Sequence, residues 1–140
     1  MIKNTRYARE ERNLHEQAEH LMEIMGLTER RDLVANNLPY GLQRRLEIAR
    51  SLALNPKILL LDEPAAGMNA EEVEQLNHLI TSVHKDFNLT ILLIEHHMDM
   101  VMAICPHIVC MNFGAMIAEG SPELIQSHPE VLKAYLGEEE

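Results

Sequence analysis

Apolar residues recur at helical spacing in three stretches of the chain, which are residues 1–25, 38–56 and 70–85. In each stretch Leu, Ile, Val, Ala or Met returns every three or four positions, so that one face is apolar. This spacing is typical of an amphipathic helix that packs one face on a core. Asn69 precedes the third stretch and Glu72 stands three residues later, which is the pattern of a capping box. The spacing therefore predicts three helices, the third with a capped amino end.

Two short runs are apolar at nearly every position instead. They are ILLL at residues 58–61 and TILLI at residues 90–94. A short apolar run that is closed by polar residues is typical of a strand buried on both faces, as in a parallel sheet. Strands that alternate with helices predict parallel pairing with a right-handed crossover. We therefore expect an α/β fold.

The last part of the chain predicts smaller elements. Residues 98–104 predict a short helix that stops before a proline. Residues 107–111 and 115–118 flank an Asn-Phe-Gly turn, which predicts a β-hairpin. Pro122 and Pro129 each suit the first position of a further short helix. The expected order is therefore helices, then strand, helix and strand, and finally helix, hairpin and helices.

Composition places the chain among globular domains. Of its 140 residues 46% are hydrophobic and 24% charged, and with 4% aromatics and no Trp the core must be aliphatic and methionine-rich. Residues 51–140 contain fourteen acidic and three basic residues, whereas residues 1–50 contain eight acidic and nine basic residues. The net charge of -10 argues against nucleic-acid binding as the main task.

Cysteine use and the first residues bear on location. Cys105 and Cys110 are too few for a disulfide framework and lack a metal-binding spacing, so we expect free thiols in a reducing compartment. The start MIKNTRYARE has no apolar signal region, and no run approaches the roughly 18 apolar residues that cross a bilayer. A cytosolic chain, or the cytosolic part of an assembly, is therefore expected.

Acidic and histidine side chains directly follow the two predicted strands. Asp62 and Glu63 end the first run, and Glu95, His96 and His97 end the second. Open α/β sheets bind ligands at the carboxyl ends of their strands. A carboxylate without a partner is costly to desolvate, so the adjacent acids Asp62 and Glu63 indicate a bound cation or a proton to be moved. A strand that simply ends in solvent, where acids cost little, is the alternative.

Two longer runs match the motifs of one family in order and spacing. LPYGLQRRLEIARSLALNPKILLLDEPAAGMNA resembles the signature helix, Walker B strand and D-loop of ABC-transporter ATPases. ILLIEHHMDM resembles the strand and switch-histidine region that follow. The LPYG form, the helix RRLEIARSLA and the tail GAMIAEGSPELIQSHPEVLKAYLGEE resemble the ATP-binding subunits of branched-chain amino acid importers. The resemblance implies a partial P-loop NTPase (ABC ATPase) fold, in which a helical subdomain precedes a parallel β-α-β and a carboxyl-terminal hairpin with helices.

The resemblance covers only part of such a domain. No Walker A run, GxxxxGK[ST], occurs in the sequence, and no glutamine is a candidate for the Q-loop. The chain therefore looks like the carboxyl-terminal half of the domain. By resemblance, residues 1–56 would be part of the helical subdomain with the signature helix. Residues 57–120 would be the carboxyl-terminal part of the catalytic core, and residues 121–140 the last helices and an acidic tail.

The resemblance also implies individual roles at the strand ends. Asp62 would hold Mg²⁺ through water, and Glu63 would orient or deprotonate the water that attacks ATP. His96 would reach the γ-phosphate as the switch histidine, whereas His97 is interpreted as a polar residue that ends the strand. Asn69 falls where the D-loop usually has Asp.

By resemblance, the signature stretch would contact the ATP bound to an opposite subunit. The amino end of its helix is a natural phosphate site. Its expected nucleotide contacts are Tyr40, Gly41, Leu42, Gln43 and Asn69. The stretch departs from the common LSGGQ, since Pro39 replaces Ser, Tyr40 replaces the first Gly and Leu42 replaces Gln. The arginines that follow, Arg44, Arg45 and Arg50, are expected on a solvated helix face.

The resemblance thus implies an ATP-binding and ATP-hydrolysing subunit that energises branched-chain amino acid import. Its cofactors would be ATP and Mg²⁺, and its partners a second ATPase subunit and transmembrane permease subunits at the cytoplasmic face of the membrane. Without a Walker A loop, we expect the chain alone to be inactive. One alternative is a non-catalytic dimerisation or docking module. Another is an unrelated α/β binding module.

Overall fold

The computed structural model describes residues 5–136. Its helices and strands, in chain order, are α1 (Thr5–Ile24), α2 (Tyr40–Leu52), β1 (Ile58–Asp62), α3 (Ala70–Asp86), β2 (Thr90–Ile94), α4 (Met98–Ile104), β3 (Ile108–Asn112), β4 (Ala115–Gly120), α5 (Pro122–Gln126) and α6 (Pro129–Val131). Short 3-10 turns, Thr28–Arg30 and Ala35–Asn37, link α1 to α2, and a π-helical turn, Leu132–Leu136, follows α6.

Contacts within the chain divide it into two units, residues 1–94 and residues 95–140. The divisions expected after residues 56 and 120 stay predictions. Residues 1–4 of the predicted first helix lie outside the described part of the chain, as do residue 137 and the predicted acidic tail at residues 138–140.

In the first unit, the helices form where the apolar spacing predicts them. The carboxyl end of α1 is buried through Leu21 and Met25, whereas Leu14, earlier on the predicted stripe, is exposed. Gly26 ends the helix with a φ of 68°. That left-handed conformation favours glycine and lets the Leu27 N–H reach the carbonyl of Met22 at 2.8 Å. The helix α2, which contacts α1, buries its last turns.

The predicted capping box of α3 is confirmed. The Asn69 side chain accepts a hydrogen bond from the Glu72 N–H at 3.0 Å, and the Glu72 carboxylate accepts one from the Asn69 N–H at 2.9 Å. Each bond satisfies a backbone donor that the helix itself cannot pair. The loop from the first strand therefore enters α3 in a fixed direction.

Strands β1 and β2 pair in parallel, as predicted, with Leu60 opposite Leu92 and Asp62 opposite Ile94. The expectation that β1 and β2 are buried on both faces is wrong. Leu59 and Leu61 are buried, but the alternate side chains form an open apolar face, which consists of Ile58, Leu60, Leu92 and Ile94, each more than half exposed. Successive side chains of a strand point to opposite faces. An unbroken apolar run therefore does not reveal which of its two faces the rest of the chain covers.

In the second unit, the predicted hairpin and short helices are confirmed. Strands β3 and β4 pair antiparallel, with an irregularity between Cys110 and Met111. The core of this unit consists of Ile108, Cys110, Ala118, Ile125 and Val131. The Tyr135 hydroxyl donates to the carbonyl oxygen of Met111 at 2.7 Å, which joins the last helical turn to the hairpin. Both cysteines are free thiols, as expected.

Among residues 5–136, no helix combines the length and the apolar content that a membrane span requires.

Candidate functional site

The turn after β1 holds the two predicted acids at the carboxyl edge of the sheet. Asp62 is the last residue of β1 and Glu63 follows it with a φ of 42°. Backbone bonds hold this turn, because the Glu63 N–H donates to the Ile94 carbonyl at 2.8 Å and its carbonyl accepts from the Ala66 N–H at 3.1 Å. A residue other than glycine in this conformation costs about 1 kcal/mol or more and persists only where its surroundings impose it. Both acidic residues are exposed, whereas the Pro64 that follows is buried.

Arg44 connects the amino end of α2 to this turn. Its Nη2 donates to the Tyr40 hydroxyl at 3.2 Å and, over a long 3.5 Å, to the carbonyl oxygen of Glu63. Its Nη1 lies 2.7 Å from the Glu47 carboxylate, and the guanidinium carbon lies 5.8 Å from the centre of the Tyr40 ring. Burial lowers the pKa of Arg44, but the hydrogen bond and charge of Glu47, with Tyr40 adding to them, more than offset this and raise the pKa.

The expectation of a solvated arginine face is thus wrong for two of its three members. The side chain of Arg44 is only 25% exposed. Arg45 is half-buried as well, and donates to the Gln75 side chain at 3.1 Å and to the Met25 carbonyl at 3.4 Å. Arg50 is exposed, as expected. Helical periodicity predicts the face on which an arginine lies but not the neighbours that cover it. The contact of Arg44 with Tyr40 could have been predicted, because a spacing of four residues places the two side chains next to each other on a helix.

Two of the five predicted nucleotide contacts, Gly41 and Leu42, line a cleft of about 190 Å³ between α2 and α3. The cleft is lined by Pro39, Gly41, Leu42, Arg45, Met68, Glu72, Gln75 and Leu76. A Cβ on Gly41 would stand 3.7 Å from the Glu72 carboxylate, and one on Gly67 would stand 3.8 Å from the Tyr40 ring. The loop before α3 therefore passes close to the amino end of α2.

Two predicted contact residues use their side chains to hold backbone. The Gln43 amide donates to the Leu38 carbonyl at 2.8 Å, across the start of α2. The Asn69 side-chain oxygen caps α3. Pro39 is the amino-terminal cap residue of α2 and makes no side-chain cap bond. Its carbonyl instead accepts from the N–H groups of Leu42 and Gln43.

The second unit begins with a carboxylate and two imidazoles. The Glu95 side chain is wholly buried, and one of its oxygens accepts from the backbone N–H groups of His96 at 3.0 Å and His97 at 3.3 Å. The same oxygen lies 2.8 Å from Nδ1 of His97 and 3.8 Å from Nδ1 of His96. The two rings stand 4.4 Å apart between centroids. Sequence reasoning gave Glu95 no role, although an acid two residues before a histidine was visible.

The structure therefore brings most predicted site residues into the first unit, and places His96 in the second. Within the first unit, the acids after β1 and the start of α2 are linked through Arg44. The acids also suit a magnesium ion, because Mg²⁺ binds through one or two carboxylates together with water and phosphate oxygens. For the triphosphate, these residues offer only part of a site, since the sequence has no Walker A loop.

Two family models match the chain. Residues 2–66 match the model described as ABC transporter, and residues 115–140 match the one described as branched-chain amino acid ATP-binding cassette transporter.

Curated relatives align along almost the whole chain. The chain is 49% identical over 138 residues to the high-affinity branched-chain amino acid transport ATP-binding protein BraF of Pseudomonas aeruginosa. The alignment covers 99% of this chain and 54% of BraF. The chain is 45% identical over the same length to the LivG protein of Escherichia coli, which bears the same description. The chain thus spans about half the length of the curated relatives it matches.

Solved structures give the same result for the fold. The ADP conformation of MJ1267, an ATP-binding cassette of an ABC transporter, superposes with a TM-score of 0.81 at 31% identity, over 90% of this chain and 51% of that one. For cbiO1 from Clostridium perfringens, part of an ABC transporter complex, the TM-score is 0.79 at 28% identity, over 88% and 49%. The predicted partial ABC ATPase fold is confirmed, and the chain belongs to the ABC transporter ATP-binding family, to whose domains it corresponds over about half their length.

Proposed function

We propose that this chain supplies the hydrolytic acids, the switch histidine and the signature helix of an ATP-binding subunit that energises branched-chain amino acid import. The observation that carries the proposal is the turn after β1, which presents Asp62 and Glu63 at the carboxyl edge of a parallel sheet on a fixed backbone. The identity to BraF and LivG over 99% of the chain supports the substrate class.

Asp62 and Glu63 would divide the work at this edge. A magnesium ion held by Asp62 through water would neutralise charge on the phosphates. Glu63 would accept the proton of the water whose oxygen attacks the γ-phosphorus as the bond to the β-phosphate oxygen breaks. His96, in the second unit, would donate a hydrogen bond to the γ-phosphate. Each of these roles comes from the family motif that the residue matches.

The start of α2 would serve the nucleotide held by a second ATPase subunit. Gly41 would let a phosphate approach the backbone closely, and Tyr40, Leu42 and Gln43 would flank it together with Asn69. Leu42 replaces the glutamine of the common motif, so we propose that this contact is weaker here. Permease subunits would hold the pair at the cytoplasmic face of the membrane.

A chimeric subunit tests the proposal. The matched segment of BraF is replaced by this chain, and hydrolysis of Mg-ATP and leucine uptake are measured in a strain without BraF. We expect both activities, and we expect Glu63→Gln to lower kcat by about 100-fold or more. The matched control is Glu74→Gln, an exposed acid on α3 that is expected to retain activity. A folded chimera that hydrolyses no ATP, or one in which the two variants behave alike, contradicts the proposal.

The chain by itself is expected to bind ATP weakly and to hydrolyse it negligibly. A lysine and a nest of backbone N–H groups usually hold the phosphates, and the sequence has no run that would form them. Phosphate release from the purified chain with Mg-ATP measures this. Robust turnover would contradict the role assigned to the absent loop.

The open apolar face favours one second candidate, a non-catalytic docking module. Exposed apolar strands suit association with another polypeptide, and this role needs no hydrolysis. Co-purification with a complete ATPase subunit, unchanged by Glu63→Gln, would support it.

A further inference from the structure

We propose that Glu95, His96 and His97 form a binding site for a divalent transition metal, with Zn²⁺ as the representative ion. One ligand atom from each of these side chains lies within 4.8 Å of the other two. All three residues belong to the second unit, and none of them is one of the acids after β1.

Glu95 is the fixed part of the site. Its side chain is wholly buried, and its oxygen is held by the N–H groups of His96 and His97. Carboxylates that are oriented by hydrogen bonds make ordered metal ligands. Because the carboxylate already has its position, a metal that binds there does not have to order it.

The two imidazoles complete the set at nearly the required spacing. Ligand atoms of one tetrahedral zinc, each about 2.1 Å from the ion, lie about 3.4 Å apart. Nδ1 of His97 is 2.8 Å and Nδ1 of His96 is 3.8 Å from the Glu95 oxygen. The three ligand atoms already lie within 4.8 Å of one another, so side-chain rotations rather than backbone movement would bring them to this spacing. The ion would take the place of any proton on the nitrogen that it binds, so binding releases protons.

The donors select the class of metal. Two imidazole nitrogens and one carboxylate oxygen suit Zn²⁺, Cu²⁺ and Ni²⁺, whereas Mg²⁺ prefers oxygen ligands throughout. The side chain of His96 is 60% exposed and that of His97 is 38% exposed, so an ion can enter from solvent. A bound metal would also withdraw His96 from the γ-phosphate. That consequence alone rests on the proposed function, and the binding itself does not.

Zinc titration of the full chain, without a histidine tag, tests the site. Imidazole nitrogen signals are followed by NMR as Zn²⁺ is added, and we expect His96 and His97 to shift first among the eight histidines. If the signals of both rings stay unchanged, the proposal is overturned. Earlier binding at another histidine, such as His15 or His20 on α1, would also overturn it. This measurement needs no variant and no nucleotide.

Calorimetry with matched variants gives the second measurement. We expect His97→Ala to weaken Zn²⁺ binding by about tenfold or more. His78→Ala, which removes an exposed histidine from α3, is expected to leave binding unchanged. Circular dichroism verifies that both variants fold. Equal Zn²⁺ affinity in folded His97→Ala and His78→Ala would overturn the proposal.

Discussion

Arg44 is the side chain that joins the amino end of α2 to the turn bearing Asp62 and Glu63. It packs against the Tyr40 ring, pairs with Glu47 and reaches the carbonyl of Glu63. Its Nε is buried and makes no hydrogen bond within the described residues. Because its guanidinium reaches the backbone of the turn at Glu63, its removal is expected to affect the order of the turn.

Arg44→Ala is expected to lower the free energy of unfolding by about 1–2 kcal/mol, because a partly buried charged hydrogen bond and a cation–π contact are lost together. Arg50→Ala, at an exposed position on the same helix, is the control and is expected to change it by less than about 0.5 kcal/mol. Urea denaturation measures both. Equal effects would show that Arg44 is only a surface charge.

The two thiols make the free energy of unfolding depend on pH in the alkaline range. Desolvation by burial raises the pKa of Cys105 and of Cys110. An acid whose pKa is raised by folding contributes stability that is fully present below its unfolded pKa, here about 8.5. That stability is lost as pH rises through the folded pKa.

We therefore expect the free energy of unfolding to decline as pH rises above about 8.5, and to decline less in a Cys105→Ala/Cys110→Ala variant. Urea titrations at several pH values measure the slope of the free energy of unfolding against pH. This slope does not depend on how much stability the substitutions themselves remove at a fixed pH. A variant with the same slope as the unchanged chain would assign the decline to other groups.

At the scale of elements, α3 shows how a local pattern fixes the entry to a helix. Its capping box lies within four residues of sequence, and both bonds form. The same loop follows the strand that ends in Asp62, so the cap also fixes the direction in which the chain leaves Asp62 and Glu63. The helix amino end further favours the acids Glu71 and Glu72 in its first turn.

Asn69→Ala is expected to lower the free energy of unfolding by about 1 kcal/mol, since it removes the side-chain acceptor of the cap. Asn69→Asp keeps an acceptor and is expected to be nearly neutral, and Asn36→Ala is an exposed control elsewhere. Thermal and urea denaturation compare the three. A neutral Asn69→Ala would show that the box contributes little here.

At the scale of the whole molecule, the dominant feature is the open apolar face of β1 and β2. Four aliphatic side chains on two neighbouring strands are more than half exposed. Parallel sheets normally have both faces covered, and a contiguous exposed apolar patch favours association.

The isolated chain is therefore expected to self-associate, and Leu60→Lys/Leu92→Lys is expected to shift it toward the monomer. Leu14→Lys, at an exposed leucine on α1, is the control and is expected to leave the association unchanged. Size-exclusion chromatography with light scattering measures the mass. A monomeric unchanged chain would contradict this expectation.

The helices, the strands and the end of β1 could be predicted from the sequence, because each depends on neighbours within a few residues. The spacing of apolar residues predicted α1 to α3. Asp62 and Glu63 directly follow the run ILLL in sequence, so their position at the end of a strand followed from the prediction of that strand. The contact of Arg44 with the Glu63 carbonyl, and those of Arg45 with Gln75 and Met25, could not be predicted in this way. These partners come from segments brought close only by folding.

The sequence by itself thus determined the family, the order of elements and the position of Asp62 and Glu63 at a strand end, since these depend on local pattern and motif. Only the tertiary structure decided that one face of the β1–β2 sheet stays open, that two arginines are half-buried, and that the Glu95 carboxylate is enclosed beside two histidines. Burial and long-range contacts depend on which surfaces the folded chain covers, and no local period encodes that.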